Sequence, residues 1–121
     1  MNPTILVADD SRAVRIHVKQ RLAEAGFSVV LAENGREAIK QIEAVNPDAA
    51  ILDINMPELD GYAVCQQLEY IKSRMPVIFL TGVEANAVKM LGASLGAYLS
   101  KPVNGEKLVQ TVRDVLQVRA S

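Results

Sequence analysis

Ile51-Leu52-Asp53-Ile54-Asn55-Met56-Pro57 is the stretch that decides the fold. Apolar residues run from Ala49 to Leu52, Asn46-Pro47-Asp48 interrupts the chain before them, and Pro57 interrupts it after. A run this short between turn signals predicts a strand buried on both faces, as in parallel sheets. Asp53 then stands at the strand's C-terminal end. Ligands of open parallel α/β sheets bind in the crevice just beyond those ends, so Asp53 is the first candidate for chemistry.

The same pattern recurs on either side. Upstream, Thr4-Ile5-Leu6-Val7-Ala8 predicts a buried strand ending at Asp9-Asp10. Ser11 can cap a helix carrying Val14, Val18, Leu22 and Ala25 on one face, with Gly26 as its stop. Ser28 to Ala32 predicts another strand, and Asn34 with Glu37 resembles a capping box for a helix with Ala38, Ile39, Ile42 and Val45 inward. Downstream, Asp60-Gly61 opens a helix through Val64, Leu68 and Ile71 that ends at Met75-Pro76. Val77 to Leu80 is a fourth strand closed by Thr81-Gly82, followed by a helix from about Ala85 to Leu95 stopped by Gly96. Tyr98-Leu99-Ser100 is a short fifth strand running into Lys101-Pro102, and Asn104 caps a last helix with Leu108, Val112, Val115 and Leu116 inward. Five strands alternating with five helices predict right-handed βαβ units and a parallel sheet covered on both faces.

The chain has 121 residues, half of them hydrophobic, which suits a single domain over 1–121. Thirteen basic and fourteen acidic residues give a net charge of −1, so no electrostatic argument favours nucleic acid or membrane. The one cysteine, Cys65, cannot form an internal disulfide, and neither a CxxC nor a Cys/His metal spacing is present. Without a basic-then-apolar N-terminus or an apolar run near 18 residues, a soluble cytoplasmic protein is the expectation.

Asp9, Asp10, Asp53, Thr81 and Lys101 all fall at C-terminal ends of predicted strands. Two unit charges about 4 Å apart repel by roughly 4 kcal/mol at an effective dielectric near 20, and one lysine offsets only part of three carboxylates. A hard divalent cation with oxygen ligands gives such a cluster a reason to exist; magnesium accepts one or two carboxylates and leaves room for phosphate oxygens. Each residue also has an ordinary explanation. The acidic pair would be favoured beside a helix N-terminus anyway, Asp53 and Thr81 would serve in turns, and most lysines lie on the surface. Convergence of all five on one edge is what these explanations do not supply. Tyr98 is expected in core or interface, Cys65 as a small helix-face hydrophobe, and His17 on an exposed helix flank.

Assembled, Asp9-Asp10-Ser11, Asp53-x-x-Met56-Pro57-x-x-Asp60-Gly61, Thr81-Gly82 and Tyr98-Leu99-Ser100-Lys101-Pro102 resemble the response-regulator receiver domains, the CheY-like family of two-component signalling, in a stand-alone form. The resemblance implies a doubly wound, flavodoxin-like (βα)5 fold with strand order 2-1-3-4-5. It implies that Asp53 is a phosphoacceptor, that Asp10, Asp53 and the Asn55 backbone carbonyl hold Mg2+, and that Asp9 acts mainly through a metal-bound water. It further implies that Thr81 and Lys101 contact phosphoryl oxygens, that Thr81 and Tyr98 form a switch, and that the Lys101-Pro102 bond is cis. The partners implied are a sensor histidine kinase or histidine phosphotransfer protein and a downstream protein target, met through the face of helix 4, strand 5 and helix 5. Such a domain catalyses its own phosphorylation and dephosphorylation and is not a metabolic enzyme.

One feature departs from the pattern. Nineteen residues lie between Thr81 and Lys101, fewer than the resemblance implies, with the shortening between Gly96 and Tyr98. Other functions fit less well. A receiver-like docking module that is never phosphorylated would not need all five residues. A flavin protein of the same architecture would want a phosphate cradle where Asp9-Asp10 stands, a haloacid-dehalogenase-type phosphatase would want Asp-x-Asp where the chain has Asp53-Ile54-Asn55, and no P-loop motif occurs.

Overall fold

A computed structural model describes residues 2–56, 60–70, 75–82 and 97–120. Five strands, β1 (Thr4–Ala8), β2 (Ser28–Ala32), β3 (Ala49–Asp53), β4 (Val77–Thr81) and β5 (Ala97–Ser100), pair in parallel in the order β2-β1-β3-β4-β5. The described helices are α1 (Arg12–Glu24), α2 (Gly35–Val45), α3 (Gly61–Tyr70) and the C-terminal α4 (Gly105–Ala120). The expected helix over 85–95, together with Pro57, Ile71, Val83, Gly96 and the side chains of Cys65 and Leu68, lies outside the described residues.

Alternation along the strands divides the core into two layers. Leu6, Ala50, Leu52, Phe79 and Tyr98 meet Ala38 and Ile42 of α2 and Val64 of α3 on one face. Ile5, Val7, Ile51, Ile78, Leu80 and Leu99 meet Val18 and Leu22 of α1 and Leu108 and Val112 of α4 on the other. Strands with helices on both sides must be apolar at every position, and β3 and β4 are buried throughout. The edge strand β2 is only half-buried, which its Ser-Val-Val-Leu-Ala sequence tolerates.

Helix ends follow the expected chemistry. Ser11 Oγ accepts from the Val14 amide (3.3 Å), Asn34 Oδ1 from Glu37 (2.9 Å), and Asn104 Oδ1 from Lys107 (3.0 Å), each satisfying an orphan first-turn donor. Two details differ from expectation. Glu37 reaches back to the amide of Glu33 (3.4 Å), one residue before the cap. Val45 is 42% exposed, because α2 ends there and Asn46 turns into the left-handed region at φ 51°. Among the described residues no helix is long and apolar enough to cross a membrane.

Candidate functional site

Strand register builds the site. Ala8 pairs with Leu52, Asp53 with Leu80, and Thr81 with Ser100. The residues at or just past these pairs, namely Asp9, Asp53, Thr81 and Lys101, are thereby brought to one edge of the sheet. Asp9, Asp10 and Asp53 each bring a carboxylate oxygen within 4.8 Å of the others. Asp9, Asp53 and Thr81 are buried, whereas Asp10 is exposed.

The two buried carboxylates are held alike, each by the amide two residues on and by the Lys101 ammonium. Asp9 Oδ1 accepts from the Ser11 amide (2.8 Å), and its Oδ2 forms an ion pair with the Lys101 ammonium at 2.9 Å but has no hydrogen-bond partner among the described residues. Asp53 Oδ1 accepts from the Asn55 amide at 3.1 Å, and its Oδ2 lies 3.2 Å from the same ammonium. Burial, followed by the negative charge of Asp9, raises the Asp53 pKa from 3.8 to about 6, against the pull of the Asn55 amide and Lys101. Burial works against the charge on Lys101, but attraction to Asp9, then to Asp53, outweighs it and holds its pKa above the ordinary 10.5. The Lys101 backbone amide donates to Thr81 O (2.7 Å), tying the ends of β4 and β5 together, and Lys101-Pro102 is cis.

The donor set is entirely oxygen, and one ammonium against three carboxylates leaves it short of positive charge. That combination fits a hard divalent cation with a solvent-facing side at Asp10. Close packing supports the β3 end: a Cβ on Gly61 would lie 2.7 Å from the Asp53 carbonyl oxygen, so only glycine fits beneath the strand end. Tyr98 is buried, its ring tilted against Phe79 with centroids 5.2 Å apart and planes at 31°.

This arrangement has a known setting. The response regulator receiver domain family matches residues 5–113. The chain belongs to that family. Response regulator MprA of Mycolicibacterium vanbaalenii is 42% identical over 115 residues, covering 93% of this chain and 50% of that protein. The alkaline phosphatase synthesis transcriptional regulatory protein PhoP of Bacillus subtilis is 36% identical, covering 97% and 50% respectively. The chain thus spans about half the length of these relatives. Among solved structures, the receiver domain of Francisella response regulator 1452 superposes with a TM-score of 0.86 at 32% identity, covering 99% of this chain and 100% of that one. A CheY-like receiver domain protein from Methanospirillum hungatei gives 0.88 at 29% identity, covering 99% and 98%. The receiver fold and its place in two-component signalling follow.

Two contacts of the receiver domain were not anticipated from sequence. Arg15 Nη1 donates to the Asp9 backbone oxygen at 2.7 Å. His17 sits on the exposed flank expected of it, yet its Nε2 lies 3.0 Å from the carbonyl of Val103, just past Pro102. Helical spacing from Ser11 puts Arg15 one turn into α1, the one sequence signal that pointed toward the strand end. Nothing local links His17 to a residue 86 positions away.

Proposed function

We propose that the chain, working as one receiver domain over 1–121, takes a phosphoryl group on Asp53 from the phosphohistidine of a sensor histidine kinase or histidine phosphotransfer protein. The observation that carries this is the Asp53 carboxylate at the end of β3, 3.2 Å from Lys101 and clustered with Asp9 and Asp10. An Asp53 oxygen attacks phosphorus, the phosphorus–nitrogen bond breaks with its electron pair leaving on the imidazole, and an acyl phosphate results. A carboxylate with a pKa near 6 is ionised at neutral pH and more basic than an ordinary aspartate, which suits a nucleophile. Lys101 pairs with one phosphoryl oxygen and the Thr81 hydroxyl donates to another, so the protein's part is mainly positioning and charge stabilisation. Asp10, Asp53 and the Asn55 backbone carbonyl would hold Mg2+, with Asp9 acting through its water; bound there, the cation neutralises charge on the transferred group. Water later attacks the acyl phosphate and resets the domain.

The signal passes through protein contacts of the face bearing β5 and α4. Converting about 1% active to 99% needs roughly 5.5 kcal/mol of differential stabilisation. A single charge-assisted hydrogen bond from Thr81 contributes only about 1.5–3 kcal/mol, so Lys101 or the partner supplies the remainder. One relative carries transcriptional regulation in its name and is about twice as long; we assign no nucleic-acid contact to these 121 residues and a cytoplasmic place of work.

Incubation with a small acyl phosphate and Mg2+, read by intact mass, tests the assignment. The expected result is one added phosphoryl group on the native chain and none on Asp53→Asn. Equal labelling of both would remove Asp53 from the role, and no labelling of the native chain would favour a docking module.

A further inference from the structure

We propose that Arg15 is a positioning residue that acts on the site through Asp9; the inference rests on reading that site as one for a divalent cation and a phosphoryl group. Arg15 lies one turn inside α1 with its side chain only 11% exposed. Its nearest polar contact is the backbone oxygen of Asp9, 2.7 Å from Nη1, while Nη2 stands 3.7 Å from Glu33 Oε1 in the connection between β2 and α2. A guanidinium presents its donors in a rigid plane, so one side chain can serve a carbonyl and a carboxylate at once.

The consequence for Asp9 is that its main chain is held from both sides. Its amide donates to Ala32 O at 3.2 Å, and its carbonyl accepts from Arg15. With the backbone fixed, the carboxylate meets the Ser11 amide through one oxygen and the Lys101 ammonium through the other. Lys101 in turn reaches Asp53. Arg15 therefore stands at the start of a chain of short contacts that ends on the acceptor carboxylate, without touching either the carboxylates or the lysine of the site. Were its role only to pair with Glu33, the closest contact would be the carboxylate; the much shorter bond to Asp9 decides otherwise.

Calorimetric Mg2+ titration of the full chain tests this, with native protein, Arg15→Met, Arg15→Lys and Asp10→Asn in parallel. Arg15→Met is expected to weaken Mg2+ about tenfold, the lower end of what outer partners of metal ligands contribute. In cation-free protein it should also shift the NMR amide signal of Ser11, which reports the Asp9 carboxylate. Arg15→Lys, which keeps one donor for the carbonyl, should recover most of the affinity. Unchanged affinity and an unmoved Ser11 amide in Arg15→Met would overturn the inference. Failure of the native chain to bind Mg2+, or native-like binding by Asp10→Asn, would instead overturn the reading of the site. If Arg15→Met does not fold, Glu33→Lys decides: it repels the guanidinium from outside α1 and should weaken Mg2+ by a smaller factor, and native-like affinity would refute the role of Arg15.

Discussion

The ends of β1 and β3 lie side by side, and each brings a buried aspartate to the same lysine, yet they are built differently. Asp9 has its amide bonded to Ala32, its carbonyl to Arg15 and one carboxylate oxygen to Ser11, while Oδ2 meets only the charge of Lys101. Asp53 has the Asn55 amide and the shared ammonium, and its pKa is raised. One strand end is a fixture and the other holds a group that is costly to keep ionised. The acceptor role proposed for Asp53 calls for the second environment, with the first next to it to keep its geometry.

Stability measurements should divide the two acids by sign. A carboxyl whose folded pKa is raised stabilises the fold below its unfolded pKa near 3.8, and that contribution is lost as pH rises through about 6. A tenfold change in proton affinity corresponds to about 1.36 kcal/mol. Asp53→Asn should therefore stabilise the cation-free domain by up to about 3 kcal/mol above pH 7, less where water at the sheet edge screens the charge, and by almost nothing near pH 4. Asp9→Ala, which takes the acceptor from the half-buried Ser11 amide and a charge partner from the half-buried Lys101, should lower stability by about 1 kcal/mol. Urea unfolding at several pH values checks both; the same sign for the two variants would erase the contrast.

Packing separates the strand ends next. Gly61→Ala drives a methyl into the Asp53 carbonyl and should cost about 1–3 kcal/mol, the usual range for overpacking. Gly82, just past β4, has nothing within 4 Å of an added Cβ, so Gly82→Ala should melt close to the native temperature. Thermal melts of the pair would refute this if both, or neither, fell. The smallest effect is expected at exposed Asp10. Asp10→Ala should raise the cation-free melting temperature by about 1–2 °C, because solvent screens its repulsion, and should abolish the rise in melting temperature expected when Mg2+ is added to the native chain.

Much of this was legible beforehand, for physical reasons. Buried parallel strands have no polar face to obscure them, so Thr4 to Ala8 carries the same bounds in sequence and structure, and the half-buried edge strand Ser28 to Ala32 does so through its continuous Val-Val-Leu run. Ser11, Asn34 and Asn104 announce helix starts because only short polar side chains satisfy first-turn amides. The acidic residues and Lys101 fell at strand ends once the topology was known. What stayed hidden was long-range or cooperative. The bond from Arg15 goes to a main-chain atom, and main-chain atoms are the same in every residue. Val45 kept a helical apolar spacing although its helix stops at that residue. The raised pKa of Asp53 comes from burial and a neighbour 44 positions away, and no local pattern encodes either.

The position of Lys101 after the edge strand β5 also bears on how the site depends on the whole sheet. β1 and β3 pair directly, whereas Lys101 lies three strands from Asp9 in the sheet order. A small domain folds as one cooperative unit, so the two carboxylates meet in the same fold that presents the ammonium offsetting part of their charge. The four-residue β5 reaches that edge only by pairing with β4. A chain shortened before β5 would keep the aspartates in its sequence and lose the lysine that faces them.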